Sequence, residues 1–172
     1  MAQSDYQTFD KSHYSDLDIS NLHVGIVHSE WNEEIISLLK NSCQETLMDH
    51  GISSEKISSY AVPGSYELPA GAKYLLASDR DVDAIICLGC VIKGETMHDE
   101  YISHAVSSAI LNLGLLSGKP VIFGVLTTLN KSQAIARADG SHGDKGKESA
   151  IAALKMLGLK ESLSGKSKKI SF

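Results

Sequence analysis

Apolar residues in this chain fall in short runs, separated by longer stretches in which they recur every three or four positions. His23 to His28 is the first run and reads as a strand. Asn32 to His50 carries helical spacing, and Gly51 suits the position just past a helix end. Ile57 to Val62 is a second strand, stopped by Pro63, and Tyr66 to Ser78 is helical. Ala84 to Leu88 is a continuously apolar strand. Glu95 to Leu116 has apolar residues at 102, 105, 106, 109, 110 and 113, one face of a helix. Pro120 to Leu126 is a fourth strand, and Lys131 to Ala138 and Lys145 to Leu157 are the last helices.

Strands alternating with helices at this spacing predict an α/β fold: a four-stranded parallel sheet covered on both faces. Ligands in such sheets bind beyond the carboxyl ends of the strands. The loops after Val27, Val62, Leu88 and Leu126 are therefore the places to look for chemistry. The polar stretch 1–20 reads as a loosely ordered tail, 21–158 as the folded domain, and 159–172 as a basic flexible tail around Ser164-Gly165-Lys166-Ser167-Lys168-Lys169.

Composition narrows the function classes. The formal net charge of −5 gives no global attraction to nucleic acid or anionic membranes, so a bound phosphate must be held by a local device. The longest apolar runs are interrupted by Ser, Asn and Gly and fall short of the roughly 20 residues that span a bilayer. The polar, acidic N-terminus carries no signal-peptide pattern. Three cysteines, an odd number, fit a reduced cytoplasmic protein better than a disulfide scaffold.

Three segments carry candidate chemistry. After the first strand comes His28-Ser29-Glu30-Trp31-Asn32, with the chain's single Trp. A ring at a strand's carboxyl end either packs at an interface or stacks on a flat heterocycle, worth about 1–3 kcal/mol by analogy with bases. After the second strand, Gly64 permits close backbone approach, and Ser65 and Glu67 sit at a helix start. Glu67 can bind a polyol or simply complement the helix dipole. The richest stretch runs from Leu88 to His98: a buried strand, a glycine, then a helix start with Thr96 and His98. Free amides there with the Thr96 hydroxyl suit an anion, and His98 can move protons there.

Other patterns are discounted. Cys87 and Cys90 have redox-motif spacing, but Cys87 falls inside a strand and not at a helix N-terminus. His98 and His104 are six apart, and metal-binding pairs on one helix face are four apart. The Gly140 to Glu148 segment misses the phosphate-loop pattern by one residue of spacing and by Glu148. Arg137 just upstream either clamps a phosphate or caps a helix end.

Ser29-Glu30-Trp31-Asn32, Val62 to Pro69, Gly94 to Ile102, Phe123 to Thr127 and Gln133 to Ala138, in this order, resemble the lumazine synthases from about Leu22 to Leu157. The resemblance implies a three-layer α-β-α sandwich of the flavodoxin-like kind. It implies a cofactor-free, metal-free transferase of riboflavin biosynthesis, joining 5-amino-6-(D-ribitylamino)uracil to 3,4-dihydroxy-2-butanone 4-phosphate with release of phosphate and water. Trp31 then matches the stacking aromatic, Ser65, Tyr66 and Glu67 the ribityl-binding segment, and Cys90, Val91 and Ile92 the heterocycle lining. Glu95, Thr96 and Arg137 match the phosphate site and His98 the proton-transfer histidine. Phe123 matches an aromatic from the adjacent subunit, and Lys145 a lysine of the Gly-rich segment. The resemblance also implies a homopentamer, which either stays single, pairs or assembles into a sixty-subunit shell, with riboflavin synthase as a further candidate partner. Asp99 departs from the family's usual aromatic; its carboxylate either raises the pKa of His98 or makes no contact. Glu95 replaces a small residue and Asp139 a glycine. Two rivals remain: a non-catalytic shell protein that binds riboflavin or another ribityl heterocycle, and a flavodoxin-like FMN carrier. The acidic, bulky Ser29-Glu30-Trp31 speaks against the second.

Overall fold

The computed structural model describes residues 8–10, 12 and 17–167. Its elements are β1 (Val24–Ser29), α1 (Glu33–Asp49), β2 (Ile57–Val62), α2 (Leu68–Ser78), β3 (Ala84–Ile92), α3 (His98–Ser117), β4 (Val121–Thr128), α4 (Lys131–Ala136) and α5 (Lys145–Ser167). All strand pairs are parallel, in the order β2-β1-β3-β4. The predicted α/β sandwich with four parallel strands is what the chain forms.

Side-chain alternation along the strands divides the core in two. Val24 and Ile26 of β1 and Ala84, Ile86, Leu88 and Cys90 of β3 face α1 and α5. Val27, Ile85, Cys87 and Val91 face α2 and α3. A Cβ on Gly146 would stand 2.2 Å from the Leu39 carbonyl oxygen, so α5 lies against α1 only because that residue is glycine. The chain leaves β1 toward β2 and returns to the other side of β1 for β3. That reversal opens a crevice at the carboxyl ends of β1 and β3.

Six expectations are corrected. β3 does not stop at Leu88 but runs to Ile92, and β4 runs to Thr128, because the two pair from Ile85↔Val121 through Ile92↔Thr128. α3 begins at His98, so Glu95 and Thr96 precede the helix; α2 is preceded by a 3-10 turn over Ser65–Glu67. The segment 159–172 is not a flexible tail up to Ser167, since α5 continues through it; Met156, Leu159 and Leu163 keep helical spacing. Nor is 1–20 loose throughout: Phe9, Leu17 and Ile19 are buried, and the Phe9 ring meets His50 edge-on at 5.7 Å. The remaining tail positions, 1–7, 11, 13–16 and 168–172, lie outside the described residues.

One apolar face has no cover among the described residues. α3 buries only Val106 and Ile110, while its exposed Leu111 and Leu115 line one groove with Met156, Leu159 and Leu163 of α5, and Leu116 is exposed too. No helix among the described residues is long and apolar enough to cross a membrane.

Candidate active site

The crevice holds a cleft of about 680 Å³. Its lining comes from three strand ends: Trp31 and Asn32 after β1, Pro63 to Glu67 after β2, and Cys90 to Ile92 of β3. Gly94, Thr96, His98, Asp99 and Ile102 close it from the approach to α3 and its first turns.

The floor exists because the strands differ in length. β1 pairs with β3 only as far as His28↔Leu88, while β3 continues four residues further along β4. Beyond Leu88, the side of β3 that faced β1 is open to the cleft. The Cys90 carbonyl on that side accepts hydrogen bonds from the Asn32 amide (3.3 Å) and, at the limit of reach, the Ser65 hydroxyl (3.5 Å). In a parallel ladder alternate residues bond to opposite neighbours, so the Ile92 backbone groups point the same way as those of Cys90. Gly89 makes room for the neighbouring wall, since a Cβ there would stand 2.7 Å from Ser65 Oγ and 2.8 Å from Leu68 Cδ1.

The walls are held by backbone bonds. The Glu30 amide donates to the Val62 carbonyl (2.8 Å) and the Trp31 amide to that of Pro63 (3.4 Å), tying the first two loops together. Asn32 has φ +64°, the left-handed region that Asn tolerates better than most residues. This turn carries the Trp31 ring to the mouth of the cleft, where it is 74% exposed and free to meet a planar ligand. Ser65 is buried, Glu67 half-buried and Tyr66 exposed. Thr96 and His98 are exposed at the start of α3, where main-chain N–H groups lack helical partners.

The structure thus brings together Trp31, Ser65, Tyr66, Glu67, Cys90, Val91, Ile92, Thr96 and His98. Glu95 is exposed and its side chain stays off the cleft wall. Phe123, Arg137 and Lys145 also lie elsewhere. Phe123 is half-exposed on β4, the strand at the sheet edge. Arg137 caps α4 and lines a separate pocket of about 320 Å³ with Lys93, Asp99, Glu100, Ser103 and His104. Lys145 pairs with Glu148, and its amide donates to the Arg137 carbonyl. Sequence reasoning gave no role to Asn32, and it missed Ile102 as a wall residue. Asn32 had a signal, an Asn immediately before a helix; Ile102 had none beyond its place on the apolar face.

The cysteines are passive. Burial pushes the Cys43 and Cys87 thiols up to about 12 and Cys90 up to about 11, Cys43 also feeling Asp144. All three stay protonated at neutral pH. Among the described residues no three His, Cys, Asp or Glu side chains gather closely enough to hold a metal ion.

Comparison with known proteins adds to this geometry. Residues 21–161 match the family model described as 6,7-dimethyl-8-ribityllumazine synthase. A protein of that name from Cytophaga hutchinsonii is 54% identical over 139 residues, covering 81% of this chain and 87% of the relative. Those from Porphyromonas gingivalis (45% over 139 residues) and Parabacteroides distasonis (44% over 140) each cover 81% of this chain, and 86% and 87% of the relative.

Proposed function

Since this chain belongs to the 6,7-dimethyl-8-ribityllumazine synthase family, it is an enzyme of riboflavin biosynthesis, and we propose that the cleft at the ends of β1, β2 and β3 is where its two substrates meet. The observation that carries this reading is the convergence of an exposed ring, an open strand edge, a polar pair and a helix start on one space. The pyrimidinedione of 5-amino-6-(D-ribitylamino)uracil stacks on Trp31, bonds to the open edge of β3 at Cys90 and Ile92, and is lined by Val91 between them. Its ribityl chain lies along Ser65, Tyr66 and Glu67. The phosphate of 3,4-dihydroxy-2-butanone 4-phosphate is held at Glu95, through its backbone, and at Thr96 ahead of α3.

The amine attacks the ketone carbon, and loss of water gives a Schiff base. Phosphate then leaves, the second amine closes the ring, and another water departs. Holding both substrates together supplies most of the acceleration, since effective molarities of well-oriented groups reach about 10⁵–10⁸ M. His98 moves protons between the reacting nitrogen, carbon and oxygen atoms.

Phe123 and Arg137 lie apart from the cleft in this chain. We propose that they serve the cleft of an adjacent copy in a closed homopentamer, with Lys145 supporting the Arg137 segment. The uncovered apolar face of α3 and α5 supports self-association. Assembly into a sixty-subunit shell, contact with riboflavin synthase and residence in the cytoplasm belong to the same proposal, as does the division into residues 21–158 as the synthase domain with flanking segments. Light scattering reads the assembly, and an active monomer would overturn the shared site. Mixing both substrates with the protein and following lumazine fluorescence tests the activity. Bound flavin without product would instead favour the non-catalytic binder, a reading to which the relatives, each named a synthase, lend no support.

A further inference from the structure

Asp99 sits in the first turn of α3, on the partition between two spaces: it lines both the cleft and the pocket that holds Arg137. Its Oδ1 is buried and meets no hydrogen-bond donor. A carboxylate oxygen removed from water without a donor is costly, and in folded proteins such groups are nearly always satisfied. Arg137 lines the same pocket, and its guanidinium meets no carboxylate within ion-pair distance among the described residues. An unsatisfied anion and an unpaired cation share about 320 Å³.

Other groups in the pocket fit less well. Glu100 is exposed and solvated, so it has no unmet need for a donor. Lys93 and His104 are the remaining basic side chains there. An ammonium presents its donors from a single point, and an imidazolium engaged by Asp99 has one N–H left, so neither offers a second anion a paired edge. A guanidinium has five N–H donors in a planar fork, enough to serve a carboxylate on one edge and a phosphate on the other.

We propose that Asp99 is the positioning residue for Arg137: its carboxylate accepts from one edge of the guanidinium and aims the other at the substrate phosphate in the cleft of the adjacent copy. This rests on the phosphate role of Arg137 given above.

The test measures inorganic phosphate binding by calorimetry on the assembled full-length protein, alongside KM for the phosphate-bearing substrate. Asp99→Asn should weaken phosphate binding about tenfold, the scale of one lost charge-assisted bond. Asp99→Glu should recover most of it, which keeps the test valid if the Asn variant folds poorly. In an Arg137→Ala background the Asp99→Asn change should matter less than about twofold, because coupled partners are non-additive. Affinity for the pyrimidine substrate should not move in any variant. Tighter or unchanged phosphate binding in Asp99→Asn, or an equal loss in both backgrounds, overturns the positioning role. If Arg137→Ala alone leaves phosphate binding intact, the phosphate role of Arg137 falls and this proposal falls with it. If Arg137→Ala matters and Asp99→Asn does not, only the positioning role fails.

Discussion

The Asn32 amide donates to the Cys90 carbonyl across 3.3 Å, joining the turn that carries Trp31 to the open end of β3. Asn32 does this from a left-handed backbone, the only non-glycine residue among those described with positive φ. Two replacements separate its two duties. Asn32→Gly keeps the conformation and loses the bond, costing about 1 kcal/mol. Asn32→Ala loses the bond and adds about 1–2 kcal/mol of backbone strain. Urea denaturation should rank wild type above Gly above Ala. Equal stability of the Gly and Ala variants would show that the strain is relieved elsewhere.

Gly89 lies inside β3 for a reason of space, since a Cβ would press on Ser65 Oγ and Leu68 Cδ1. Gly89→Ala should cost about 1–3 kcal/mol, the range for overpacking a tight site. The displaced Ser65 wall should also weaken binding of the ribityl-bearing substrate more than binding of inorganic phosphate. Equal weakening of both ligands would mean that the whole cleft, and not one wall, had shifted.

His98→Ala should slow turnover by about 10²–10⁴-fold, the usual share of a proton-transfer group. Pyrimidine affinity should stay close to wild type, because the stacking ring and strand edge are untouched. Full turnover at saturating substrate would remove His98 from the chemistry.

His28, at the end of β1, has a buried Nδ1 with no hydrogen-bond partner. Burial holds its pKa below the usual 6.5, and the Lys40 charge lowers it further. The folded chain therefore keeps His28 neutral, while the unfolded chain gains a proton as pH drops below 6.5. Stability from this group is present above pH 6.5 and lost as pH falls below it. Denaturation midpoints at pH 7 and pH 5 should diverge less in His28→Leu than in wild type. An unchanged divergence would assign the acid sensitivity to other groups.

Much of this was legible in the sequence because two simple periods carry most of the fold. The strands and helices came out in the right order, and the rule that ligands sit at strand carboxyl ends led to Trp31, Ser65 and His98 directly. Gly89 misled because a glycine after an apolar run reads as a stop, whereas here it admits a neighbouring helix to an unbroken strand. The continuation of α5 was hidden because Leu159 and Leu163 are exposed among lysines and serines. A lone Phe9 in a polar stretch gave no local sign that the core receives it. The place of Asp99 on a shared wall depends on how α3 sits against β3 and β4, which no local pattern records.

The floor of the cleft is a notch left where one strand outruns its neighbour by four residues, about 13 Å of extended backbone. Its depth is set by the stiffest part of the molecule and its walls by turns. The two should therefore breathe on different clocks. Main-chain amides of β3 that bond to β4 should exchange with solvent only when the sheet itself opens, while those of the Trp31 and Gly64 turns exchange through local fraying. Substrate can then enter and product leave by motion of the rim, with the surface that sets the ring's orientation held still throughout.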